Sequence, residues 1–87
     1  SIALGGDAAR QMGVQASGAQ AVAIGVNNSA GGDGSIVVGS NASATAAAPG
    51  TFVYGDRSTP NQIIAFGPNE FHARAAGGVF FYSNPSL

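Results

Sequence analysis

Ala21-Val22-Ala23-Ile24-Gly25 and Ser35-Ile36-Val37-Val38-Gly39 repeat one phrase: a small residue, three apolar residues, then glycine. Ser1-Ile2-Ala3-Leu4-Gly5 precedes them and Thr51-Phe52-Val53-Tyr54-Gly55 follows. The four closing glycines are separated by twenty, fourteen and sixteen residues. Fourteen residues are too few for a strand and a crossover helix, but they hold two strands of about five residues and two tight turns. The expected fold is therefore all-β, a parallel solenoid whose coils carry insertions at their turns.

Within each phrase the larger side chains alternate. Ile2 and Leu4, Val22 and Ile24, Ile36 and Val38, and Phe52 and Tyr54 share one face, and Ala3, Ala23, Val37 and Val53 share the other. Strand side chains have a period of two, so both faces of this strand are apolar. Only one face can look into a roll, so a second chain is expected to cover the other, and the small-residue face is the one expected to sit between chains. The core set is Ile2, Leu4, Val22, Ala23, Ile24, Ile36, Val37, Val38, Phe52, Val53 and Tyr54.

Composition points the same way. Seventeen of the 87 residues are alanine, fourteen are glycine, and only seven carry charge, for a net charge near −1. A monomer of this length buries only about 60–65% of its unfolded surface, and a core made largely of alanine is thin. The charge is too small and balanced to capture nucleic acid, no apolar run approaches the roughly 20 residues that span a bilayer, and Ser1 opens no signal peptide. Cysteine and lysine are absent, which removes disulfides, thiolate zinc sites and a lysine-bearing phosphate loop.

The residues after each glycine are turn material: Gly6-Asp7-Ala8-Ala9-Arg10, Val26-Asn27-Asn28-Ser29-Ala30, Ser40-Asn41-Ala42-Ser43-Ala44 and Asp56-Arg57-Ser58-Thr59-Pro60. Asn, Asp, Gly and Ser favour turns through left-handed backbone angles and local hydrogen bonds. Asn27, Asn28, Ser29, Ser40 and Asn41 are the candidate surface-binding residues. The alanine-rich stretch 42–48 is too short for helix propensity to decide and reads as an outer strand plus loop.

The phrases ending in Gly25 and Gly39 resemble the head repeats of the trimeric autotransporter adhesins, the YadA-like family, over about residues 1–58. The resemblance implies a left-handed parallel β-roll, three of which pack round a threefold axis, and hence a homotrimer. Against the family's Asn-Ser-Val-Ala-Ile-Gly-x-x-Ser signature, Val22, Ala23, Ile24 and Gly25 match, while Gln20, Ala21 and Asn28 stand in place of Asn and the two Ser. Phe52-Val53-Tyr54-Gly55-Asp56 and the stretch from Asn69 to Asn84 resemble a segment that follows such repeats in haemagglutinin-like and phage tail-fibre-like proteins. A self-cleaving chaperone often follows there, and its chemistry would lie beyond Leu87.

Residues 1–60 are thus expected to form the roll and residues 61–87 a separate neck. In the neck, residues 70–76 alternate, Gly77-Gly78 permits a tight turn, and residues 79–83 would return as the second strand of a hairpin in a threefold prism. Gln62-Ile63-Ile64-Ala65-Phe66-Gly67 adds a short strand.

His72, the one imidazole, lies near Glu70 and Arg74, and a threefold axis would bring three copies of it together. Gly31-Gly32-Asp33-Gly34 echoes one calcium-binding repeat but reads better as a turn. Asp56-Arg57 reads equally as an ion pair between chains at the end of the roll and as an exposed ion pair worth under about 1 kcal/mol. A glycan-cleaving site needs two carboxylates about 5–10 Å apart, and Asp7, Asp33, Asp56 and Glu70 are scattered over separate coils. No catalytic, metal or cofactor residue is therefore assigned. The expected partners are two further copies and a host matrix or cell-surface receptor, without nucleic acid or membrane contact, on a bacterial surface or a phage-like particle. A spacer holding a distal tip or chaperone in register is the alternative.

Overall fold

The computed structural model describes residues 1–6 and 13–85, so Asp7 and the turn read at residues 6–10 fall largely outside the described residues. Among the described residues nine strands follow in order: β1 Ile2–Gly5, β2 Val14–Ala16, β3 Val22–Val26, β4 Asn28–Ala30, β5 Ile36–Ser40, β6 Ala42–Ala44, β7 Phe52–Gly55, β8 Ile63–Ala65 and β9 Phe71–Arg74. There is no helix among the described residues. Odd strands make one parallel sheet in the order β1-β3-β5-β7-β9, and even strands make a second, β2-β4-β6-β8. Successive strands alternate between the sheets while neighbours run parallel, which is a β-solenoid of about four turns.

The register stacks the repeated phrase on itself. Ile2, Val22, Ile36, Phe52 and Phe71 form one column, and Gly5, Gly25, Gly39, Gly55 and Arg74 form another. Glycine is required in the latter where coils stack: a Cβ on Gly25 would lie 1.9 Å from the Gly39 carbonyl oxygen, and one on Gly39 would lie 2.0 Å from that of Gly55. Both residues also have φ above +100°, which L side chains rarely adopt. Asn27 and Asn41 turn the corner between sheets as single residues at φ 55° and 56°, a conformation that asparagine tolerates.

A one-residue corner leaves little depth between the sheets. The enclosed side chains are accordingly small: Ala23, Val37 and Val53 from the first sheet, and Ala30, Ala42, Ala44 and Ala65 from the second, all fully buried. The expectation that the small-residue face lies between chains is therefore corrected. It is the inside of the roll, and the larger residues Ile2, Leu4, Ile24, Ile36 and Tyr54 point outward and are exposed. Val22, Val38 and Phe52 are half-buried on the same outer face.

The expected hairpin is also corrected. Phe71–Arg74 pairs in parallel with β7, Ile63–Ala65 pairs in parallel with β6, and residues 79–83 form no strand. Adding a rung to a formed sheet satisfies the backbone on an existing template, whereas a lone two-stranded ribbon is marginal in water. Thr51 locks the added rung: its hydroxyl accepts from the Glu70 N–H at 3.1 Å and donates to the Gly67 carbonyl at 2.8 Å.

Candidate functional site

The outer face of the first sheet is an extended surface that is left exposed among the described residues. One column runs Ile2, Val22, Ile36, Phe52, Phe71, and the next runs Leu4, Ile24, Val38, Tyr54, Ala73. Neither contains a charged residue. Ile2 is 51% exposed, Leu4 56% and Phe71 64%, although each would gain about 1.5–3 kcal/mol from full burial. The Phe52 and Phe71 rings stack with centroids 5.1 Å apart and planes 9° from parallel. Five strands at about 4.8 Å spacing and four residues at about 3.3 Å give a patch of roughly 20 by 10 Å or slightly more. Phe66, Val79, Phe80, Phe81 and Tyr82 add further exposed apolar surface.

The outer face of the second sheet has the opposite character: Gln15, Ser29 and Ser43 stack in register there, ending at Ile64. The roll thus has an apolar wall and a largely polar wall.

The asparagine turns differ from their reading as exposed loops. Asn28 is only 3% exposed. Its amide donates to the Ile24 carbonyl at 2.8 Å and to the Gly39 carbonyl at 2.9 Å, while its Oδ1 accepts from the Ala42 N–H at 3.0 Å. Asn28 is therefore an internal strut between coils, which corrects its candidacy as a binding residue. Asn27 donates from Nδ2 to Asn41 Oδ1 at 2.8 Å, one coil along. Ser29 and Ser40 are half-buried, and the Ser40 carbonyl accepts from Arg74 Nη2 at 3.4 Å.

A polar cluster closes the C-terminal end of the roll. Asp56 pairs with Arg74, 3.1 Å from Nε to Oδ1, rather than with the neighbouring Arg57. The same carboxylate accepts from the Ser58 hydroxyl at 2.6 Å and the Ala76 N–H at 2.6 Å. These donors, the Ser58 hydroxyl foremost, hold the Asp56 carboxyl well below the usual carboxylate range. Arg74 also donates to the carbonyls of Asp56 and Asn61. A side chain is possible at this point of the glycine column because β9 is the edge strand.

His72 stacks beneath Val53 in the inward-facing column, with Nε2 2.8 Å from Glu70 Oε1. That position is at the end of the roll rather than on the outer face. The Asp33 carboxylate accepts from the Ala19 N–H of the preceding coil at 2.9 Å and so serves the turn. Among the described residues no three His, Cys, Asp or Glu side chains converge as a metal site. The described acids each serve a different local bond.

Sequence reading missed the Asn28 strut and the Asp56–Arg74 clamp. The first left no trace, since the asparagines that recur fourteen residues apart are Asn27 and Asn41, and Ala42 stands fourteen residues after Asn28. The second left none, because eighteen residues separate its partners. Compared with protein-family models, curated proteins and solved structures, the chain matches none of them.

Proposed function

We propose that this chain is a non-enzymatic segment of an extracellular trimeric fibre, an adhesin head or tail-fibre-like module that serves attachment to a host or cell surface. The observation that carries the reading is the uncharged apolar wall of β1, β3, β5, β7 and β9 on a roll whose own interior is already filled. Water-exposed Ile, Leu, Phe and Tyr in contiguous columns mark a surface that is covered in the working assembly. A flat patch of roughly 20 by 10 Å falls short of the roughly 800 Å² that each partner of a stable pair contributes. Three copies round an axis bury more, because each roll meets two neighbours, and the exposed aromatics of residues 79–82 extend the contact. Rigidity then comes from the stacked coils and strength of attachment from repeated weak contacts.

The alternative, a spacer that holds other modules in trimeric register and binds nothing itself, draws support from the internal use of the Asn27 and Asn28 amides. Sedimentation equilibrium of the 8.5 kDa chain over a range of concentrations tests the shared premise. A β-rich species of three times the chain mass supports both readings, and a folded monomer refutes them. Substitution of Ser29 and Ser40 then separates the two: loss of surface attachment by an intact trimer favours the adhesin, and no loss favours the spacer.

A further inference from the structure

The polar wall of the roll carries a groove of about 370 Å³ along the corner between the sheets, bounded by Gln15, Asn27, Ser29 and Gln62 above a floor that includes Val14 and Asn28. Its hydrogen-bonding inventory is unusual for this chain. The Gln15, Ser29 and Gln62 side chains make no hydrogen bond to another described residue, and Asn27 uses only its amide nitrogen, towards Asn41. Asn28 is committed to three backbone partners below them and holds the floor in place. The groove therefore presents two free amides, each with donors and an acceptor, one hydroxyl that both donates and accepts, and the free Asn27 Oδ1. None of the residues lining it is charged.

We infer that this corner groove binds a neutral, hydroxyl-rich chain, a short uncharged oligosaccharide segment. Planar amides match the paired hydroxyls of a sugar ring with one donor and one acceptor each, and an uncharged site gives no advantage to phosphate, sulfate or carboxylate. An extended peptide fits less well, because its side chains need apolar pockets and Val14 is the one large apolar side chain that lines the groove. Gln62 precedes β8 and Gln15 lies on β2, three strands away in the second sheet. That separation is about 14 Å at normal strand spacing, the span of two to three sugar rings. The groove is lined by β2, β4, the Asn27 corner and the residue before β8, and by no strand of the apolar wall. No aromatic ring lines it, so affinity per site is low and several copies acting together supply useful binding.

The inference rests on the attachment reading for its setting, yet its test is separate, since sedimentation reads the apolar wall and the sugar experiment reads the groove. The test is saturation-transfer NMR of the intact 87-residue chain with lactose, maltotriose and diacetylchitobiose as probes, each at millimolar concentration. Transfer to at least one sugar is expected, weakened about fivefold in Gln15→Ala or Ser29→Ala, the loss of one neutral hydrogen bond. Ser43→Ala, on the same wall but outside the groove, leaves transfer unchanged, and circular dichroism confirms that each variant is folded. Absence of transfer to all three sugars overturns the proposal, as does transfer that Gln15→Ala and Ser29→Ala leave intact. Transfer to a neutral Ser/Thr-rich peptide in place of the sugars assigns the groove to a peptide and likewise overturns it.

Discussion

Replacement of Asn28 by alanine removes the strut that ties three coil segments together, and its cost can be worked from the bonds it makes. The Ala42 N–H loses its acceptor at a position with no solvent exposure, and a buried donor left unpaired costs about 1–3 kcal/mol. The Ile24 and Gly39 carbonyls lose a shared donor. With a small cavity added where the amide stood, the expected destabilisation is about 3 kcal/mol, or some 12–24 °C in melting temperature for a domain of this size. Asn28→Asp sharpens the argument. The ionised carboxylate of that variant retains the acceptor for Ala42 but turns a negative oxygen towards two carbonyls, in a site that desolvates it. Its pKa is thus raised on folding, and the variant is weakest at neutral pH and recovers as the pH falls and the carboxyl becomes a donor. The assay is urea unfolding followed by circular dichroism at one fixed chain concentration, because association alters apparent stability. A loss below about 1 kcal/mol for Asn28→Ala, or an Asn28→Asp variant with no recovery at low pH, refutes the strut.

Gly25→Ala forces a Cβ to within 1.9 Å of the Gly39 carbonyl oxygen at a φ of +128°, so a loss above about 3 kcal/mol or outright failure to fold is expected by circular dichroism. Ile24→Asp and Ile36→Asp place charge on the outer wall without touching the roll interior; the mass by sedimentation drops towards the monomer while the β-spectrum persists, and an unaltered mass shows that this wall is not the contact. The Asp56 carboxyl is depressed on folding, so its contribution is complete above its unfolded value near 3.9 and is lost as pH falls through the folded value. Acid titration of Asp56→Asn is therefore expected to show a shallower fall in stability below about pH 4 than the unaltered chain. Arg74→Ala frees the end rung, and faster amide exchange is expected across β9 than across β5, measured by hydrogen exchange.

The repeated phrase and its glycines are enough to read a parallel solenoid, since fourteen residues per coil admit no helix and Gly5, Gly25, Gly39 and Gly55 do stack in one column. The last rung is not legible. Glu70-Phe71-His72-Ala73-Arg74 has neither the leading small residue nor the closing glycine, because as the edge rung it has no following coil to clear, and by its alternation alone it reads as half of a hairpin. The asparagines at 27 and 41 are legible as turns, but the buried role of Asn28 is not: its three bonds join residues four, eleven and fourteen positions away.

Alternation along each strand determined that two sets of side chains face opposite ways, and it did so without any three-dimensional information, because the strand period is two. Which set faces inward was decided only by the tertiary structure. Corners of one residue at Asn27 and Asn41 bring the two sheets so close that the fully buried apolar side chains between them are alanine and valine, with Ile63 only partly buried against them, and the isoleucine, leucine, tyrosine and phenylalanine side chains of the first sheet are left on the outside, where they form the wall on which the proposed assembly depends.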